Sequence, residues 1–288
     1  MQLTLEFDHF GVAANKRILN EVQRRWERKW SASTFDRPLW PVITAQEPDV
    51  VQAMQWGYLP PHVESDPVKF IATYGTYNAR CENVYTGKLY AEAMQQKLRC
   101  LVPVTGFYEH RHVGKLRIPY LIQPKESAFW YFAGIYNAAT RTFSVVTTEA
   151  NELMRQIHNS AARQPLILPG GFAEAFLEND FDEKSFVDFA VPIPHQVMRY
   201  HTVSKLLTQR GVDRNVPRWP RSSITKVCRP SSWRRSAPSL RLLLVHASVV
   251  RPGSCVWIRG AHLRCRSSGT SRSRARCPTS ALSRLQPK

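Results

Sequence analysis

The chain has 288 residues, 43% of them apolar, enough to fill the core of one large domain or two small ones. Its formal charge of +18 is unevenly placed: residues 1–208 carry 22 Lys+Arg against 21 Asp+Glu, and residues 209–288 carry 18 against the single acid Asp213. The basic balance belongs to the C-terminal stretch, which excludes reading the whole chain as a polycationic nucleic-acid binder.

At the N-terminus Glu6 and Asp8 interrupt the first apolar stretch, so no secretory signal is expected. Ala14, Ile18, Val22, Trp26 and Trp30 recur every four residues, and Lys16, Arg17, Arg24, Arg25, Arg28 and Lys29 fill the other face. That spacing predicts an amphipathic helix over residues 13–30 whose basic face is a solvated surface or a phosphate contact. From Trp40 the texture changes to short β-rich runs separated by Pro and Gly. They predict strands at Pro41–Thr44, Met54–Leu59, Cys100–Val104, Tyr120–Gln123, Trp130–Tyr136 and Thr142–Thr147. Short helices are expected at Leu89–Leu98, Ala150–Gln156, Gly171–Leu177 and Glu183–Phe189. Regular βαβ alternation is missing, which points to an α+β fold with mostly antiparallel strands, a single domain over residues 1–216.

Residues 217–288 form a basic tail rich in Arg and Ser, read either as a disordered nucleic-acid-binding arm or as translation in a shifted frame. Leu240–Val250, the longest apolar run, is too short to span a bilayer and contains Arg241 and His246, so no membrane association is expected. Four of the six cysteines lie in this tail; Cys81 and Cys100 lie in the body. No CxxC pair or zinc-spaced His/Cys cluster occurs, giving no metal site and no disulfide framework. A soluble, reducing, cytoplasmic setting follows as the expectation, with Cys100 a buried structural thiol.

Three segments of the body carry chemistry. They are Tyr77-Asn78-Ala79-Arg80-Cys81-Glu82, then Cys100 through Gly106-Phe107-Tyr108-Glu109-His110, then Ile157-His158-Asn159-Ser160 leading to Arg163-Gln164-Pro165. Taken singly, Asn78 reads as a turn residue, Glu109 as a strand-end charge and His158 as a helix C-terminal residue facing the helix dipole. Taken together, an amide, an acid among aromatics and a histidine are acid/base equipment. No GxSxG, phosphate-binding glycine loop or HExxH accompanies them.

These segments, with Gln55-Trp56-Gly57-Tyr58-Leu59-Pro60, Thr147-Thr148-Glu149-Ala150-Asn151 and Val203-Ser204-Lys205, resemble the SOS response-associated peptidase family of abasic-site processing proteins, in the family's order over residues 35–210. The resemblance implies a barrel-like fold of mostly antiparallel sheets with flanking helices. It implies a DNA-damage function on single-stranded DNA containing abasic sites, by a monomer without cofactor or metal. In the family, methionine removal exposes a cysteine; its α-amine attacks the ring-opened sugar aldehyde and its thiol closes the imine into a thiazolidine, a covalent protein–DNA crosslink. Peptidase and lyase activities accompany this. Carried over by motif, Asn78 would hold the N-terminal residue, Glu109 would move protons and His158 would protonate the departing sugar oxygen. Arg80 and Arg163 would hold the phosphates flanking the lesion, with Trp56 supporting the DNA groove.

The sequence departs from that pattern at three places. It begins Met1-Gln2-Leu3, and Gln2 has no thiol and disfavours methionine removal; His110 stands where an aromatic is usual; the pattern ends after Val216. The chain as written is therefore expected not to form the thiazolidine, whether its start lies elsewhere or the copy is degenerate. Two further readings stay open: a non-catalytic single-stranded-DNA-binding module, and an RNA-binding protein led by its tail.

Overall fold

The computed structural model describes residues 1–5, 17–18, 22, 29–63 and 66–208. The C-terminal tail discussed above lies outside the described residues.

The strands are β1 (Gln2–Leu5), β2 (Arg17–Ile18), β3 (Lys29–Ser33), β4 (Leu39–Thr44), β5 (Val50–Trp56), β6 (Asn78–Arg80), β7 (Arg99–Val104) and β8 (Gly106–Val113). They continue as β9 (Leu116–Pro124), β10 (Trp130–Asn137), β11 (Thr142–Glu149), β12 (Arg163–Pro165), β13 (Ile167–Leu168) and β14 (Met198–Thr202). A five-stranded sheet runs β14-β9-β8-β1-β3, and a second sheet runs β12-β11-β10-β7-β4-β5-β2, with β13 on β10 and β6 on β11. Most ladders are antiparallel, as expected; β2–β5, β5–β11 and β6–β11 are parallel.

The barrel is corrected. The strands form two sheets, and the larger is an open path with β12 at one end and β2 at the other. It curls until β5 meets β11 over two parallel residue pairs, Gln55 with Thr142 and Trp56 with Phe143. That contact is too short to be a barrel ladder, in which every strand continues into the next. The predicted helix over residues 13–30 is corrected where it can be seen. Arg17–Ile18 is an edge strand beside Val50–Val51, and Lys29 begins β3. The remainder of that segment lies outside the described residues, apart from Val22.

Long apolar runs become central strands because both their faces are covered. β10, flanked by β7 and β11, is buried along nearly its whole length. Trp40 is fully buried and its indole N–H donates to the Pro103 carbonyl at 2.9 Å, tying β4 to β7. The strand expected at Cys100–Val104 is present as β7, and a second strand that was not expected follows it. After Thr105, whose N–H donates to the Thr4 carbonyl, the chain switches sheets and continues as β8. Gly106 permits the switch, since a Cβ there would stand 2.7 Å from the Ile122 carbonyl oxygen of β9.

Five helices lie among the described residues: α1 (Pro67–Tyr74), α2 (Ala91–Gln95), α3 (Glu152–Ile157), α4 (Gly171–Glu178) and α5 (Glu183–Phe189). The last four fall within or close to the expected ranges; α1 was not expected. It is bounded by Asp66, which accepts from the N–H groups of Val68 and Lys69, and by Gly75 in the left-handed conformation. Asn151 caps α3 by accepting from Met154 N–H, and its amide donates to the Ile193 carbonyl. The same residue thus starts α3 and pins it to the chain that leads into β14. No described helix is long and apolar enough to cross a membrane.

Candidate active site

The site is built where β1 delivers the chain terminus onto β8. Gln2 lies opposite Tyr108, Leu3 opposite Phe107 and Thr4 opposite Gly106, so the ladder carries Met1 towards Glu109. Leu3 and Leu5 are fully buried and hold this register, because a one-residue slip would turn both out of the core. The Met1 α-amine stands 3.9 Å from Glu109 Oε1, with the Met1 side chain 4% exposed and the Glu109 side chain 8%.

His158 approaches Glu109 from the other side. It is the residue that ends α3, and its Nδ1 lies 2.8 Å from the Arg163 carbonyl. A carbonyl can only accept, so Nδ1 carries the proton and Nε2 is the nitrogen free to take or give one. Nε2 lies 3.9 Å from Glu109 Oε2. Both separations exceed a direct hydrogen bond and leave room for a reacting atom or one water between the groups. Asn159 fixes the turn: its amide donates to the His112 carbonyl and accepts from the His112 N–H, both at 2.9 Å. That clamp gives the turn after α3 a strand-like pairing with β8, the strand that carries Glu109.

Glu109, His110, His112, Arg117, His158 and Ser160 enclose a recess of about 190 Å³. His110 is half-buried and burial lowers its pKa below the ordinary imidazole value, with Glu109 opposing the shift. A larger recess of about 430 Å³, beside Tyr85 and Arg99, holds no such acid–histidine pair. There Arg99 is committed to the Leu177 and Asn179 carbonyls and lies between the Phe176 and Phe181 rings. Among the described residues, no group of three or more His, Cys, Asp or Glu could hold a metal ion.

The other expected residues divide. Asn78 lies at the exposed start of β6, outside the recess lining, where its N–H closes a turn onto the Gly75 carbonyl. Arg80, two residues on, is exposed and faces Thr147 of β11. Because Thr147 also faces Pro165 of β12, the NAR strand and the strand after His158 flank β11 on its two sides. Trp56 offers no ring to a base. It is fully buried, stacked on Phe143, and its indole N–H donates to the Tyr77 carbonyl, so it can support the NAR segment only from beneath.

Arg163 is engaged within the protein. Its Nη1 and Nη2 donate to the two Glu82 carboxylate oxygens at 2.5 and 3.0 Å, and Nη2 also donates to the Thr147 carbonyl at 2.6 Å. Burial raises the Glu82 pKa, but the hydrogen bonds and charge of Arg163, with the Glu82 backbone N–H and Cys81, together outweigh it and leave the carboxyl below its ordinary value of 4.5. A depressed folded-state pKa adds stability above the unfolded pKa, and that stability is lost as pH falls through the folded value. Glu82→Gln should therefore melt below the wild type at pH 7, and the gap should narrow as pH falls below the ordinary carboxylate value of 4.5. A pH-independent gap in thermal melts would rule out the ion pair as its source.

The Asn159 clamp and the walls His112, Arg117 and Ser160 were given no role in the sequence. Asn159 was within reach, lying inside the His158 motif. The placement of Met1 depends on a ladder between residues about one hundred positions apart, which no local pattern announces.

Comparison with known proteins comes to the same region. The family model described as SOS response associated peptidase (SRAP) matches residues 7–210, well over half of the chain. The abasic site processing protein YMR114C of Saccharomyces cerevisiae is 30% identical over 125 residues, 42% of this chain and 32% of that protein. The abasic site processing protein YoaM of Bacillus subtilis is 32% identical over 123 residues, 40% of this chain and 51% of that one. The chain thus spans about a third to a half of the length of these relatives. A crystal structure of a protein from Bacteroides thetaiotaomicron superposes with a TM-score of 0.65 at 27% identity, covering 75% of this chain and 96% of the other. A second, from Bordetella bronchiseptica, shares the fold with a TM-score of 0.58 at 19% identity, over 70% of this chain and 99% of that one.

Proposed function

The chain belongs to the SOS response associated peptidase family, and from that premise we propose that it captures abasic sites in single-stranded DNA at the Glu109–His158 recess. The observation that carries this reading is one carboxylate set between an α-amine and a histidine nitrogen, each at 3.9 Å.

An abasic deoxyribose opens to an aldehyde, and a neutral α-amine adds to its carbonyl carbon. The attacking nitrogen loses a proton and the carbonyl oxygen gains one; water then leaves, giving an imine. Glu109 faces the amine and is placed to take and return the nitrogen's proton. His158, with Nδ1 held by the Arg163 carbonyl, presents Nε2 to supply the proton for the departing oxygen. Arg80 is the exposed cation set to meet a flanking phosphate. Met1, whose amine attacks, carries a thioether in place of a thiol, and Gln2 offers none, so an adduct made on Met1 stays at the imine, which water reverses.

The test is reduction with borohydride in the presence of a single-stranded oligonucleotide carrying one abasic site. Expected is a trapped adduct on Met1, located by mass spectrometry, and none without the reductant after heating. An adduct on another residue, or none, removes the imine chemistry. Preferential binding of abasic over intact strands without any adduct would instead support the non-catalytic binding module.

A further inference from the structure

We propose that Arg117, with His112 beside it, forms the phosphate-holding wall of the recess on the side of the β8–β9 hairpin. This deepens the abasic-site reading and rests on it. One arginine near the site is already occupied. Arg163, expected to grip a flanking phosphate, spends its guanidinium on both oxygens of Glu82 and on the Thr147 carbonyl. A phosphate would have to displace a carboxylate already held in the bidentate geometry that guanidinium groups favour.

Arg117 is differently placed. β8 and β9 are joined through Gly114 and Lys115, with Gly114 at φ +56°, and their register sets His112 directly opposite Arg117. Directly opposed residues of an antiparallel pair project from the same face. That face also bears His110, two residues back along β8, and all three line the recess that contains Glu109 and His158. One arginine and three histidines thus share the recess lining with one carboxylate. Among the described residues no carboxylate forms an ion pair with Arg117, which is exposed. Arg117 is thus a permanent cation on the recess wall with no carboxylate of its own, and such a charge raises the local affinity for an anion. A nucleotide seated on Glu109 has a phosphodiester on each side. Arg80 on β6 suits one and Arg117 suits the other. The Asn159 clamp on the His112 backbone keeps the hairpin wall in step with His158, so sugar and phosphate are read by one rigid unit.

The experiment titrates the full chain, Arg117→Ala and Arg117→Lys with a fluorescent single-stranded oligonucleotide over a series of KCl concentrations. The oligonucleotide carries a tetrahydrofuran abasic analogue, and melting curves for each protein are taken in parallel. Arg117→Ala should flatten the slope of log affinity against log salt by about 0.7, one single-strand phosphate contact. At low salt it should bind about tenfold more weakly, the usual scale for losing one charge-assisted hydrogen bond. Arg117→Lys should keep the slope and lose part of the affinity, since it retains the charge without the planar fork. Wild-type slope in Arg117→Ala, with binding otherwise intact, overturns this inference and leaves the proposed function standing. A wild type that binds neither the abasic nor the intact strand overturns both. Should Arg117→Ala melt early, Arg117→Gln replaces it, with the same slope criterion.

Discussion

Replacing Met1 by cysteine, behind an encoded methionine that is removed in the cell, should turn a reversible contact into a crosslink that survives boiling. The first steps match those of the present chain: the α-amine adds to the aldehyde and water leaves. The cysteine thiol then adds to the imine carbon, forming a carbon–sulfur bond while its proton passes to the nitrogen. The five-membered ring that results does not hydrolyse as an open imine does. Which position receives the cysteine is decided by the β1–β8 register. Met1 is the residue whose amine reaches Glu109, and Gln2 lies opposite Tyr108. Gln2→Cys with Met1 trimmed would withdraw the amine by about 3.4 Å, one strand residue, and direct the new side chain to the opposite face. On a denaturing gel, Met1→Cys should show a heat-stable band with abasic single strands, and trimmed Gln2→Cys little or none. Equal yields from the two would mean that β1 slides freely along β8, although Leu3 and Leu5 are buried without exposure. A folded Met1→Cys protein that never crosslinks would separate this chain from the chemistry its family suggests.

How much of this was legible in the sequence depended on whether the signal was local. The strand at Trp130–Tyr136 and the helices at Gly171–Leu177 and Glu183–Phe189 are long apolar or capped segments and stand within a residue of their expected bounds. Asn151 and Asp182 announce their helices because a cap lies next to what it caps. No strand was expected over β8, because His110, Arg111 and His112 interrupt the apolar run after Gly106, yet the strand runs to Val113 and His110 and His112 line the recess. The Asp66-Pro67 start and Gly75 stop of α1 were present in the sequence and passed over. The barrel came from resemblance alone, and strand order is a non-local property. Arg163 shows the same boundary: its motif was visible, while the Glu82 that occupies it lies 81 residues earlier.

Glu109→Gln in the Met1→Cys protein should slow crosslink formation by roughly 10²-fold or more, the usual scale for losing a proton-transfer group. The substitution keeps shape and hydrogen-bonding capacity but cannot accept the proton that the amine must shed. The carboxylate has two neighbours that use its charge, the α-amine on Oε1 and His158 on Oε2. Removing the charge therefore affects both nucleophile and acid, whereas His158→Gln removes only the acid and should slow the reaction less. Binding of the tetrahydrofuran analogue tells chemistry from positioning: Glu109→Gln should bind it about as tightly as its parent, because that analogue has no aldehyde to react. Single-turnover time courses on denaturing gels, with melting curves beside them, measure the effect. A slower reaction with intact binding and melting places Glu109 in the proton path. A parental rate would leave the amine to react unassisted and would reduce the Glu109–His158 pair to a structural contact.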